Sequence, residues 1–321
     1  MRAVRTFAAL CAAFIAGAAL AQPYPDKPVR IIVPFAAGGP ADIYARAVAE
    51  KLHGALGQAF VVEDRPGGGA ILGTEAVVQS APDGYTLLMM SNTHTVNESL
   101  IPDKRYQLMR DLVPVAPVNY SDLVLVVHPS VKANTLREFI ALAKANPGKL
   151  NYASSGPGTP YHMAGELFKA MAGVDIVHIP YKGSSGARTD ILGGQVQMMF
   201  DAITTMAPNV RAGKLRALAT SGQVRSAVLP EIPTLNEAGV PGYEAVIWLG
   251  IMAPAGTPKA IVDRLNAEIT KAVADPKLKA AWAEQGAVPM TMAPDEFGRF
   301  LRADIEKWAR VVKISGAKPD R

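Results

Sequence analysis

Residues 29–42 read Val29-Arg30-Ile31-Ile32-Val33-Pro34-Phe35-Ala36-Ala37-Gly38-Gly39-Pro40-Ala41-Asp42. A β-branched run, a turn with two glycines and a proline poised to start a helix follow one another without a break. Downstream, Ile43, Ala47, Val48, Leu52 and Leu56 recur at helical spacing, which predicts a helix from about Ala41 to Leu56. The same alternation continues outward. Phe60–Glu63 and Thr86–Met90 read as strands, and Gly67-Gly68-Gly69 opens a turn into a helix ending near Ser80. Short strands separated by helices predict an α/β chain with a parallel sheet covered on both faces.

A second series of the same kind follows. Leu123–Val127, Leu150–Ala153, Ile176–Ile179, Met198–Phe200 and Leu215–Ala219 read as strands, with helices over Thr135–Ala145, Pro160–Ala172 and Ala187–Leu192. Ala245–Met252 is an apolar run that re-enters the first series, and three helical patterns close the chain. Two such series predict two lobes, 22–124 plus 250–321 and 125–249, with a cleft between them. Trp248, in the returning run, is expected to sense closure more than Trp282 or Trp308 in the terminal helices.

The N-terminus bears on location. Arg2 and Arg5 precede the uncharged apolar stretch Thr6 to Ala18, and Ala19-Leu20-Ala21 supplies a small-x-small cleavage pattern. This reads as a signal peptide, residues 1–21, directing the chain to the periplasm. The apolar stretch is too short for the roughly 20 residues of a membrane span. The single cysteine, Cys11, falls inside it. The mature chain is therefore expected to lack thiols, which excludes a disulfide scaffold, a cysteine nucleophile and a cysteine metal site. Lys+Arg 33 against Asp+Glu 28 is too balanced and too scattered for nucleic-acid binding.

In open α/β sheets ligands sit beyond strand ends, near helix N-termini. Two loops meet that rule, Phe35-Ala36-Ala37-Gly38-Gly39-Pro40-Ala41-Asp42 and Ser154-Ser155-Gly156-Pro157-Gly158-Thr159. Glycines expose backbone N–H groups and a helix N-terminus carries partial positive charge, so each loop is a candidate anion cradle. Asp42 and Thr159 also suit simple helix capping. His162 follows the second loop closely enough to reach a ligand or to pack. Asn92 and His94 follow the strand Thr86–Met90 and are candidates for the cleft. The five histidines show no metal-binding spacing, and no nucleotide motif is present, so neither metal nor cofactor is expected. Ser154 or Ser155 with His162 and Asp201 would compose a serine hydrolase set, but no nucleophile-elbow motif accompanies them.

These residues resemble the Bug-type periplasmic solute receptors of tripartite tricarboxylate transporter systems. The resemblance spans the mature chain. It rests on Ala37-Gly38-Gly39-x-x-Asp42-x-x-Ala45-Arg46, Pro82-Asp83-Gly84-Tyr85-Thr86-Leu87-Leu88, Ser154-x-Gly156-x-Gly158-Thr159-x-x-His162, Pro180-Tyr181-Lys182-Gly183, Phe200-Asp201 and Ala253-Pro254-Ala255-Gly256-Thr257-Pro258. It implies a type II periplasmic-binding-protein fold whose two Rossmann-like lobes close on a small carboxylate, without an arginine clamp. Phe35, Ala36, Ala37, Gly38, Gly39 and Asp42 would form one wall. Ser154, Ser155, Gly156, Gly158, Thr159 and His162 would form the other, with Asp201 at the floor and Asn92 and His94 near the ligand's distal end. The partners implied are a di- or tricarboxylate or an aromatic carboxylate, and the membrane components of the transporter or a sensing receptor. A monomer is expected.

Overall fold

The computed structural model describes residues 24–319, so the expected signal peptide lies outside the described residues. Strands β1 (Val29–Val33), β2 (Phe60–Asp64) and β3 (Thr86–Ser91) alternate with helices α1 (Pro40–Leu56) and α2 (Ile71–Val78). Helices α3 (Asn92–Leu100) and α4 (Leu108–Asp111) lead into β4 (Leu112–Val127), followed by α5 (Leu136–Ala145), β5 (Asn151–Ser154) and α6 (Pro160–Ala172). Then come β6 (Val177–Pro180), α7 (Ser184–Leu192), β7 (Met198–Ala202), α8 (Ile203–Arg211) and β8 (Arg216–Thr220). The chain returns through β9 (Val246–Pro254) and ends with α9 (Lys259–Ala274), α10 (Pro276–Gln285), β10 (Ala287–Pro289) and α11 (Pro294–Ser315).

The strand order is β2-β1-β3-β9-β4-β7-β5-β6, with β8 and β10 also on β4. The sheet is mixed rather than parallel throughout. β1, β2 and β3 pair in parallel, as do β5, β6 and β7. The strands that carry the chain between the two halves, β4 and β9, run antiparallel to each other and to β3 and β7. A chain that leaves one half and returns beside its own exit path must pair this way.

β4 is far longer than the Leu123–Val127 strand the sequence predicts. Pro114 and Pro117 obscure its first part, because proline cannot donate to a ladder. The structure accommodates them at two register shifts, between Pro114 and Ala116 and between Pro117 and Asn119. From Leu112 to Asp122 the strand pairs with β9, and from Leu123 to Val127 with β7. The expected lobe divide at 124/125 and 249/250 falls inside both crossing strands.

Each half has apolar packing on both faces of its sheet. On α1 the buried stripe is Tyr44, Ala45, Val48 and Leu52, while Ile43 turns outward at 41% exposure, one step from the predicted stripe. A small fifth cluster joins Val96 and Leu100 of α3, Met163 of α6 and Trp308 of α11, and so spans both halves. Trp248 instead packs edge-on against Phe297 and Phe300, inside the first half. Trp308 is the indole at the seam, contrary to expectation. The terminal helix folds back across both halves, which its sequence position conceals.

Candidate functional site

Three helix N-termini converge between the lobes. Gly39, Pro40 and Ala41 at the start of α1, Pro160 and Tyr161 at the start of α6, and Gly183 and Ser184 at the start of α7 line one small cavity. Proline at N1 suits α1 and α6, because its missing N–H would find no intrahelical partner there. The first-turn amides of each helix are left to find partners elsewhere, and the aligned peptide dipoles make each terminus partly positive. Phe35, Ala36, Ser91, Ser155, Ile247 and Leu249 complete the lining, and no described lining residue is charged. The arrangement suits an anion bound by neutral donors.

Phe35 and Ser155 also line a wider outer cavity, so they stand where the two spaces meet. Its walls include the glycine turn Gly67–Gly69, Leu72, Gly156, Thr159, Tyr181 and Lys182.

The first loop contributes Phe35, Ala36 and Gly39 to the inner cavity; Ala37, Gly38 and Asp42 lie outside its lining. Gly38 has φ +73°, a backbone region that favours glycine, and donates its N–H to Asp42 Oδ2 at 2.8 Å. The other oxygen of Asp42 lies 2.6 Å from Arg46 Nε. Asp42 thus holds the loop in shape from behind instead of forming its wall.

The second loop is fastened by its own side chains. The Ser154 hydroxyl accepts from Gly156 N–H (3.1 Å) and lies 2.6 Å from His178 Nε2. Thr159 donates to the Gly156 carbonyl at 2.7 Å and caps α6 by accepting from His162 N–H. His162 Nδ1 accepts from Gly158 N–H at 3.0 Å, and its ring stacks on His178 with centroids 4.1 Å apart. Burial pushes His162 down to about 4, so it is neutral at pH 7. Ser154, Gly158 and His162 therefore shape the loop and are absent from the cavity lining; Ser155 faces the inner cavity, and Gly156 and Thr159 face the outer one.

Asn92 and His94 likewise lie outside the lining of both cavities. His94 is wholly buried in a capping box at the start of α3: Nδ1 accepts from Ser91 N–H, and Nε2 lies 3.0 Å from Thr74 Oγ1. Burial pushes it down to about 4. Asn92 donates to the Val246 carbonyl at 2.9 Å. Their neighbour Ser91 lines the cavity in their place.

Asp201 is fully buried and absent from the cavity lining, accepting from Ala202 N–H at 2.7 Å and lying 3.2 Å from Arg188 Nε. Burial raises its carboxyl to about 6, opposed by Arg188 and by the Tyr161 hydroxyl. The hydrolase set does not assemble. The serine beside a histidine is Ser154 with His178, which burial and the neighbouring His162 push down to about 3, and Asp201 pairs with Arg188. A base that weak, beside a serine sealed from solvent, is unsuited to activating a nucleophile. Among the described residues no group of three potential metal ligands occurs, and no helix is long and apolar enough to cross a membrane.

The N-terminus of α7 and Arg188 escaped notice in the sequence. The signal was available, since Pro180-Tyr181-Lys182-Gly183-Ser184 repeats the strand, glycine and helix-start order of the two recognised loops.

A family model described as the tripartite tricarboxylate transporter family receptor matches residues 44–317. The protein BugT of Bordetella pertussis is 41% identical over 312 residues, covering 95% of this chain and 96% of its own. Among solved structures, Rpa4515 of R. palustris with adipate superposes with a TM-score of 0.89 at 33% identity, over 92% of this chain and 100% of that one. MatC of Rhodopseudomonas palustris with bound malate gives 0.86 at 31% identity, over 90% and 100%. The chain belongs to the tripartite tricarboxylate transporter receptor family, whose members are periplasmic solute-binding proteins and not enzymes.

Proposed function

We propose that this receptor captures a small carboxylate in the inner cavity, with the carboxylate on the amides of the three helix N-termini and the rest of the ligand toward the outer cavity. The convergence of those helices on a space lined by no charged side chain carries the reading. Similar proteins that hold adipate and malate support it. The mature chain, exported by residues 1–21 and cleaved near Ala21, works as a monomer and delivers its ligand to the membrane components of the transporter. The lobes hinge where β4 changes partners at Asp122 and Leu123 and where the chain enters β9 at Val246.

A thermal-shift screen of the mature protein against mono-, di- and tricarboxylates, adipate and malate included, tests the proposal. A ligand at about 100 times its dissociation constant stabilises by roughly 2.7 kcal/mol. A screen in which no carboxylate shifts the melting temperature contradicts the assignment.

A further inference from the structure

Arg188 belongs to neither glycine loop, yet it joins the two lobes beside the cavity wall. Its Nη2 donates across the cleft to the Gly38 carbonyl at 3.0 Å and, within α7, to Ser184 Oγ at 3.1 Å. Its Nε lies 3.2 Å from Asp201 Oδ2 without hydrogen-bond alignment. The aligned bonds of the guanidinium are therefore those to Gly38 and Ser184. One turn earlier, Ser185 Oγ donates to the Ala37 carbonyl at 2.8 Å. Helix α7 of the second lobe thus grips two successive carbonyls of the first lobe's loop.

The consequence follows from peptide geometry. A trans peptide is planar, with its C=O and N–H at opposite edges. Holding the Ala37 carbonyl fixes the Gly38 N–H, which is the donor taken by Asp42. Holding the Gly38 carbonyl fixes the Gly39 N–H in the same way, and Gly39 lines the inner cavity. The approach is close enough that a Cβ on Gly183, the residue before α7, would stand 2.5 Å from Ala36 Cβ. Asp201, fully buried behind, supplies the opposite charge that keeps the guanidinium in place.

We propose that Arg188 is a positioning residue for ligand capture, a latch that grips the Gly38 carbonyl when the lobes come together and so holds the Gly39 amide at the ligand's wall. The proposal rests on the reading of the inner cavity as the carboxylate site. Its signature is kinetic. A latch formed after the ligand has entered slows escape and leaves entry nearly unchanged.

The test uses the mature chain, residues 22–321, which carries no cysteine because the one in the full sequence lies at position 11. Fluorophores attached through Gln79→Cys and Gln195→Cys, both exposed and on different lobes, report the interlobe distance. Arg188→Met with Asp201→Asn removes both charges, so that neither is left buried and unpaired. With adipate and malate as probes, the double variant should release ligand at least tenfold faster, with an association rate within about twofold of the parent. Without ligand, it should lose short-distance population relative to the parent. Ser185→Ala, which takes one hydroxyl from an accessible turn, should act in the same direction by about two- to threefold, and keeps the test open if the double variant does not fold. Unaltered dissociation rates and an unaltered ligand-free distance distribution overturn the latch. A parent that binds neither carboxylate counts against the ligand assignment for those probes, and the ligand-free distances then decide on the latch alone.

Discussion

The two glycine loops look alike in sequence and are built differently. The loop before α1 is held from outside, by Asp42 in the next helix turn and by Ser185 and Arg188 of the opposite lobe. The loop before α6 is held from within, by Ser154, Thr159 and His162. Its Gly158 faces the other lobe's α3: an added Cβ would lie 2.6 Å from Asn97 Oδ1 and 3.0 Å from Leu100 Cδ2. At Gly39 φ is −85°, and the nearest atom to an added Cβ is Ser184 Oγ at 3.3 Å. At Gly158 a side chain strains the backbone and meets the other lobe, whereas at Gly39 it strains no backbone and presses only on Ser184 Oγ and the Ala36 carbonyl, at 3.3 and 3.4 Å, beside the inner cavity. Like sequence does not guarantee like duty, because a loop's role depends on what the rest of the chain brings against it.

The largest effect separating the loops should come from Gly158→Val. With φ at +70° and no space for a Cβ, the substitution strains backbone and packing together, which should cost about 3 kcal/mol of stability. Urea unfolding measures it. A variant as stable as the parent would return Gly158 to the role of a ligand-side glycine.

Next in size is a difference in acid response. His162, which holds the second loop, stays neutral in the folded state down to about 4, whereas an unfolded histidine protonates near 6.5. Its contribution is present in full above pH 6.5 and is lost as pH falls toward 4. The parent should therefore lose about 2 kcal/mol more than His162→Gln between pH 7 and pH 4.5. Asp122, Asp201 and Asp304, raised to about 6 by burial, slope the opposite way in both proteins and cancel in the difference. Parallel stability curves would show that His162 does not hold the loop as a neutral acceptor.

The smallest effect should be that of Thr159→Val, which keeps the shape and removes the hydroxyl that donates to Gly156 and caps α6. About 1 kcal/mol of stability is expected, with carboxylate affinity nearly unchanged. A large loss of affinity at unchanged stability would make that hydroxyl a ligand contact.

Much of the architecture was legible because it is local. The strand, glycine and proline order at residues 29–42 fixes where a strand ends and a helix begins; it recurs before α6, and its strand and glycine recur before α7. What stayed hidden depends on distant parts of the chain. Pro114 and Pro117 disguised the crossing strand because its register shifts exist only against β9. His94 and Asn92 follow a strand end, as cleft residues do, yet Thr74 and Val246 draw them into the core. Trp308 meets Met163 only because the last helix folds back over the seam. Arg188 stands alone in sequence and acquires its role from Gly38, 150 residues away.

The central claim is that a carboxylate lies among the three helix starts, against Gly39. Isothermal titration of parent and Gly39→Val with the carboxylate that most stabilises the parent tests it most directly. The backbone at Gly39 tolerates a side chain, so the variant should fold with stability within about 1 kcal/mol of the parent. Its Cβ and methyl groups would occupy the cavity wall, and affinity should fall at least tenfold, about 1.4 kcal/mol, from a parent that binds one ligand per chain. A folded Gly39→Val protein with the parent's affinity and stoichiometry would place the ligand elsewhere.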